Sequence, residues 1–194
     1  EAAFDALGAS HPQDCRFSNF SLDYYSPQPL ANGVVPRQRM AQVKNFCSDY
    51  ARDFFVERHS FSKAQSSPSL LFLGNTGLGK THLSLAIAGQ VINKGYGVIY
   101  GSAQNLLAKL EKEKFSFNNT EDQPQSYLSL VLECDLLILD DLGTEFLSQF
   151  VTAMLYNIIN TRLLEGRPTI ISTNLSFQEI SKRYTDRLTS RLFG

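Results

Sequence analysis

Cysteine is scarce in this chain: Cys15, Cys47 and Cys134 are the whole complement. An odd number at such wide spacing rules out a local zinc knuckle and argues against a disulfide framework. A reducing cytoplasm is therefore the expected compartment. Charge of one sign is lacking as well. Eighteen basic and 19 acidic residues leave a net charge of −1, so bulk charge points to neither nucleic acid nor membrane, and any basic surface must be local. No apolar run approaches the ~20 residues of a membrane span. The opening EAAFDALGAS has neither a basic region nor an apolar block, so no secretory signal is read there. No G-x-S-x-G elbow occurs, so nucleophilic hydrolase chemistry has no support. His11, His59 and His82 show no metal spacing. The chain opens on Glu1 rather than Met, which suggests a piece of a longer protein.

What is present is globular. The 194 residues are 43% hydrophobic and 19% charged, enough for one domain with a real core. Residues 1–35 read as an irregular arm covering something apolar, with Phe17, Phe20, Tyr24 and Tyr25 clustered before the run SPQPLANGVVP. Pro36 opens a predicted helix to about Arg58, with Val43, Phe46, Cys47, Tyr50 and Phe54 at helical spacing. Residues 60–69 read as a loop. From Leu70 the texture alternates. Strands are predicted over 70–73, 97–100, 136–139 and 169–173. Helices are predicted over 81–93, 103–114, 127–133, 146–164 and 177–192, and 118–124 is a candidate mobile loop. The run at 136–139 is apolar at every position, the mark of a strand buried on both faces. The alternation predicts an α/β parallel sheet.

Gly74, Asn75, Thr76, Gly77, Leu78, Gly79, Lys80 and Thr81 fit G-x-x-x-x-G-K-[ST]. Glycines let the backbone curl so that successive N–H groups form an anion nest. The following helix adds its positive end. The pattern assigns Lys80 to the β- and γ-phosphates and the Thr81 hydroxyl to Mg²⁺. His82 closes the nucleotide-binding stretch, although its ring is read as structural. An apolar strand precedes the loop and an amphipathic helix follows, as the motif needs.

Leu136–Leu139 leads into Asp140-Asp141, an apolar strand ending in carboxylates, where P-loop enzymes hold their metal. Asp140 is the metal-side residue, through water, and Asp141 the group that polarises an attacking water. Adjacent carboxylates at a buried strand end repel unless a cation sits there. Asn174 follows the last strand and can orient water or touch a γ-phosphate, or simply cap a helix. Arg183, Arg187 and Arg191 recur every four residues, so one continuous helix would set them along one face. That face is either solvated or serves DNA phosphates or a neighbour's nucleotide.

Together GNTGLGKTHLSLAIA, LLILDDLGTE, TIISTNLS and DRLTSRL resemble the AAA+ ATPase domain of bacterial DnaC/DnaI-type replicative helicase loaders, related to the IstB-type transposition helper ATPases. The arm RFSNFSLDYYS resembles the segment preceding that domain, so the likeness runs over about residues 16–194. It implies a three-layer α/β P-loop sandwich with the core over 36–194. It also implies an ATP and Mg²⁺ site on the residues named above. Asn174 falls at the sensor position. Arg191 falls at the arginine finger acting on ATP in the next protomer, with Arg187 as the fallback. Phe17 or Phe20 could cover adenine, although core packing is the commoner job for such residues. The implied partners are a replicative helicase, through an N-terminal region outside this sequence, single-stranded DNA, and further copies arranged head to tail. Two departures stand out. Asp140-Asp141 replaces the commoner Asp-Glu, which shortens the base and favours a slow switch over a motor. The sequence stops at Gly194 after the arginine box, where a fifth strand and a helical lid usually follow. Rival readings are a transposase helper, a small-molecule P-loop kinase, and a nucleotide-gated scaffold that does not hydrolyse.

Overall fold

The computed structural model describes residues 5–7, 14–57, 65–116 and 126–193. The predicted 118–124 loop and part of the 60–69 loop lie outside these. Five strands run in order: β1 (Asp5–Leu7), β2 (Leu70–Leu73), β3 (Val98–Ser102), β4 (Leu136–Leu142) and β5 (Thr169–Thr173). Seven α-helices accompany them among the described residues: α1 (Pro36–Asp53), α2 (Lys80–Asn93), α3 (Ala103–Ser116), α4 (Tyr127–Glu133), α5 (Gln149–Leu164), α6 (Phe177–Arg183) and α7 (Asp186–Phe193). None is long and apolar enough to cross a membrane.

The strands form one parallel sheet in the order β1-β3-β4-β5-β2. Strand alternation splits its side chains between two cores. Leu136, Ile138, Val98, Tyr100 and Ile170 pack with α1 and α2 on one face. Leu137, Leu139, Ile99 and Ile171 pack with α3 through α7 on the other. This is the three-layer α/β sandwich expected. Leu136–Leu139 are all fully buried, as a strand covered by helices on both sides requires.

The differences from the predicted elements are informative. The four expected strands are present, and Asp5–Leu7 adds a fifth beside β3 from a stretch read as irregular. The helix α1 stops at Asp53, and Phe46 on it is 55% exposed rather than packed. The helix α5 begins at Gln149 because the Ser148 hydroxyl accepts from Val151 N at 3.1 Å, a serine cap. Phe146, read as its first residue, is left in the turn before it. The long helix predicted over 177–192 is two helices. Tyr184 between them has extended backbone (φ −109°, ψ 164°), and its hydroxyl donates to the buried Glu145 carboxylate. A tertiary hydrogen bond and a local cap, Leu188 N donating to Thr185 Oγ1 at 3.4 Å, meet at the break.

Candidate nucleotide site

The site lies at the carboxyl edge of the sheet, where ligands of parallel α/β folds bind. There β2 runs into the loop 74–79, and β4 and β5 end alongside it. Gly77 and Gly79 have φ of +82° and +81°, a left-handed backbone that glycine adopts without penalty. Gly79 has a second reason to be glycine. A Cβ there would sit 2.7 Å from Phe20 Cε2 and 3.0 Å from the Tyr25 hydroxyl. Both rings belong to the arm, which closes over the loop: Tyr25 Oη donates to Leu78 O at 3.1 Å. From α1, Lys44 donates to Phe20 O and Arg37 to Tyr25 O, each at 3.1 Å. Phe17 and Phe20 are both buried in the core, so packing is their observed role. Gly79→Ala should therefore lose roughly 1–2 kcal/mol to the left-handed backbone alone, with displacement of Phe20 added. Gly89→Ala, at a helical position with no atom within 4 Å of the new methyl, should instead stabilise by about 1 kcal/mol. Paired thermal melts check the opposite signs.

Lys80 opens α2. Its Nζ donates to Gly74 O (2.7 Å), Asn75 O (2.9 Å) and Asn174 Oδ1 (2.7 Å), so the ammonium group joins the loop to the residue that follows β5. Burial pulls its pKa down, and Asp141 and Asp140 pull it back up. Asn174 in turn donates from Nδ2 to Asp141 Oδ1 at 3.1 Å. Lysine, asparagine and Asp141 thus form one chain across the strand ends.

Asp140 is 6% exposed, and three hydroxyls converge on its carboxylate. Thr81 and Tyr100 donate to Oδ2, each at 2.8 Å, and Ser172 donates to Oδ1. Burial and the Asp140 charge push the Tyr100 phenol up, which keeps it a donor. Sequence reasoning missed Tyr100 and Ser172. Their only signal is position, since β3 and β5 flank β4 on either side. Neighbouring residues on a strand point to opposite faces, yet Asp140 meets Thr81 and Asp141 meets Asn174 at the same strand ends. The reason is a register shift between Leu139 and Leu142. There Asp141 takes φ +57°, the sole non-glycine positive φ among the described residues. The bulge swings Asp141 towards Asn174.

The remaining predicted residues fall elsewhere. His82 turns its ring to the arm, with Nε2 2.9 Å from Arg16 O and an edge contact to Phe20 at 5.2 Å. The arginine series is not one face. Arg183 donates to Glu145 O and Arg187 is exposed. Arg191 Nε donates to Asn160 Oδ1 at 2.8 Å. Arg191 lines a small cavity with Ser69, Leu70 and Thr169, where β2 and β5 begin. That is the end of the sheet opposite the phosphate loop, so Arg191 does not reach its own chain's site.

The family model for the IstB-like ATP-binding protein matches residues 45–193. The chain belongs to that family. Among relatives of this IstB-like domain, the replicative helicase loader DnaC of Escherichia coli (strain K12) is 27% identical over 124 residues, 64% of this chain and 49% of that protein. A putative insertion sequence ATP-binding protein of Sinorhizobium fredii (strain NBRC 101917 / NGR234) is 32% identical over 118 residues, 61% of this chain and 38% of that one. The crystal structure of the DnaC helicase loader superposes with a TM-score of 0.63 at 27% identity, covering 95% of this chain and 90% of that one. The chain spans about half the length of the DnaC sequence it matches.

Proposed function

We propose that this chain is the ATP-binding and hydrolysing switch of a bacterial replicative helicase loader. The observation that carries the reading is the linked pair of constellations at the strand ends: Lys80–Asn174–Asp141 beside Thr81–Asp140. The 27% identity to DnaC, in sequence and in superposed structure, supports the loader assignment. Residues 14–35 belong with the nucleotide domain as the arm that holds its phosphate loop.

Each residue has a task in this reading. The backbone N–H groups of 74–80 and the N-terminal end of α2 cradle the phosphates of ATP. Lys80 exchanges the Gly74 and Asn75 carbonyls for phosphate oxygens. Thr81 and Asp140 present adjacent hard oxygens 2.8 Å apart, a donor set that fits Mg²⁺. Magnesium at such sites takes one or two carboxylates plus substrate phosphates, and Asp140 beside Thr81 can supply the protein's share. A magnesium ion held there would offset charge on the phosphoryl group in flight. Asp141 orients the attacking water and Asn174 positions it. Arg191 acts on the ATP of a neighbouring copy, and this head-to-tail contact builds a ring or an open spiral. The expected partners are the helicase and single-stranded DNA.

ATP turnover by the full-length protein tests this, read with Mg²⁺ and with EDTA, across protein concentration, and with single-stranded or duplex DNA. Turnover per protomer should rise with concentration, vanish with EDTA, and respond to single-stranded DNA. A response to duplex alone would favour the second reading, a transposition helper, which the 32% identity to an insertion sequence ATP-binding protein supports. Phosphate appearing on an added nucleoside rather than in water would sink both.

A further inference from the structure

Glu145 is a buried carboxylate, 3% exposed, that the nucleotide site does not use. Removing a carboxylate from water costs several kcal/mol unless hydrogen-bond partners repay it. Two different elements do so. From the loop behind β4, Gly143 N donates to Oε2 at 2.8 Å. From the α6–α7 junction, the Tyr184 hydroxyl donates to Oε1. Arg183 closes the cage, with Nε 3.5 Å from Oε1 and Nη2 donating to the Glu145 carbonyl.

The first of these elements leads to the acidic pair. Thr144 donates from both N (3.3 Å) and Oγ1 (2.8 Å) to Asp141 O, so residues 141–145 form one hydrogen-bonded turn. Gly143 within it has φ +108°, and a Cβ there would lie 2.6 Å from Leu175 Cδ1. The turn is therefore wedged against the segment that follows Asn174. The second element leads to Arg191. The helix α7 starts two residues after Tyr184 and carries Leu188, fully buried, into the core. Arg191, in its last turn, is held by Asn160. Its start is pinned by Tyr184 and its end by Asn160.

We propose that Glu145, acting through Tyr184, is a positioning residue that locks the turn behind Asp141 to the helix presenting Arg191. The arrangement of the acidic strand in one protomer then sets how its arginine is offered to the next. This rests on the reading of Arg191 as a residue acting between protomers. An unbroken helix over 177–192 would aim α7 elsewhere; the Glu145–Tyr184 bond ties the break, which Thr185 also caps by accepting from Leu188 N at 3.4 Å, to the turn behind Asp141. A space-filling role needs no carboxylate, since a buried charged cluster replaced whole by apolar side chains of similar volume often loses no stability. Only a directional acceptor ties a loop amide to a tyrosine hydroxyl on another element.

The test uses Tyr184→Phe and Glu145→Gln in the full chain, each mixed with Lys80→Ala. Lys80→Ala protomers have an impaired site of their own but an intact arginine to offer. Arg191→Ala protomers have the reverse, and the mixture should recover turnover. Tyr184→Phe and Glu145→Gln should bind a fluorescent ATP analogue as the unmodified chain does. Alone they should turn over about 10- to 100-fold more slowly, the scale of a small misplacement of a reacting group. Mixed with Lys80→Ala they should recover, as Arg191→Ala does. Unchanged turnover in both variants overturns the inference. So does a loss that Lys80→Ala protomers do not restore, because that loss lies in the variant's own site or fold. If Arg191→Ala itself is not restored, the action between protomers fails first and this inference falls with it.

Discussion

Arg191→Ala is expected to leave ATP binding unchanged and to lower turnover by about 10³-fold or more, the scale of a lost arginine finger. The geometry makes the two halves of that result separable. In its own chain Arg191 lies where β2 and β5 begin, while the phosphate loop and both aspartates lie where the strands end. Nothing that Lys80, Thr81 or Asp140 touches is shared with Arg191, so binding has no reason to change. Turnover does, if transition-state charge on the γ-phosphoryl group is offset by the arginine of a neighbour. Asn160 engages only Nε of the guanidinium, and the two terminal nitrogens are the fork that meets phosphate oxygens. The unmodified protein should therefore show turnover climbing more steeply than its concentration. Turnover that is flat per molecule and indifferent to Arg191 would remove the mechanism between protomers, and the kinase or passive-scaffold readings would move ahead.

Much of this was legible in the sequence, because the signals are local. The phosphate loop is one contiguous run whose glycines answer to backbone angles within it. The strand boundaries at 70–73 and 169–173 and the helix at 127–133 follow from apolar runs bounded by Gly, Pro, Asn and Ser, and the structure places all three as read. Non-local features were not legible. The Tyr100 and Ser172 hydroxyls meet Asp140 from strands 40 and 32 residues away in the chain. The left-handed Asp141 depends on how β4 and β5 register. The break at Tyr184 is tied to a carboxylate 39 residues earlier, and the spacing of Arg183, Arg187 and Arg191 suggested the opposite. Glu145 enters the sequence reading only as the last residue of the run LLILDDLGTE. Its burial is a fact of packing.

The largest expected effect on stability comes from Arg162, a residue that no motif marks. It is fully buried, and no carboxylate among the described residues bonds to it. Its guanidinium is spent on neutral acceptors. Nη1 donates to Val131 O and Leu132 O (3.0 Å each) and to Cys134 O (2.9 Å). Nε donates to Thr169 Oγ1 at 2.9 Å and Nη2 to Pro168 O at 2.7 Å. The first three carbonyls lie at the C-terminal end of α4, the negative end of a helix, whose last carbonyls have no partner within the helix. One side chain of α5 thus satisfies the end of α4 and the entry to β5 together, and burial pulls its pKa down from the usual arginine value. Arg162→Leu keeps apolar bulk but leaves several buried carbonyls without donors. At about 1–3 kcal/mol for each unsatisfied group, partly relieved by water, the loss should be about 3 kcal/mol or more. At about 2–4 °C per kcal/mol for a domain of this size, that is a fall in Tm of roughly 6–12 °C. Arg162→Lys keeps the charge with a single compact ammonium, which cannot span acceptors on two elements, so it should recover only part of the loss. Calorimetric melts of the two variants decide it. If Arg162→Leu melts with the unmodified chain, the α4 end is satisfied by something other than this guanidinium. Nucleotide affinity measured below the melting range should stay unchanged in both, because neither α4 nor the entry to β5 touches the phosphate loop.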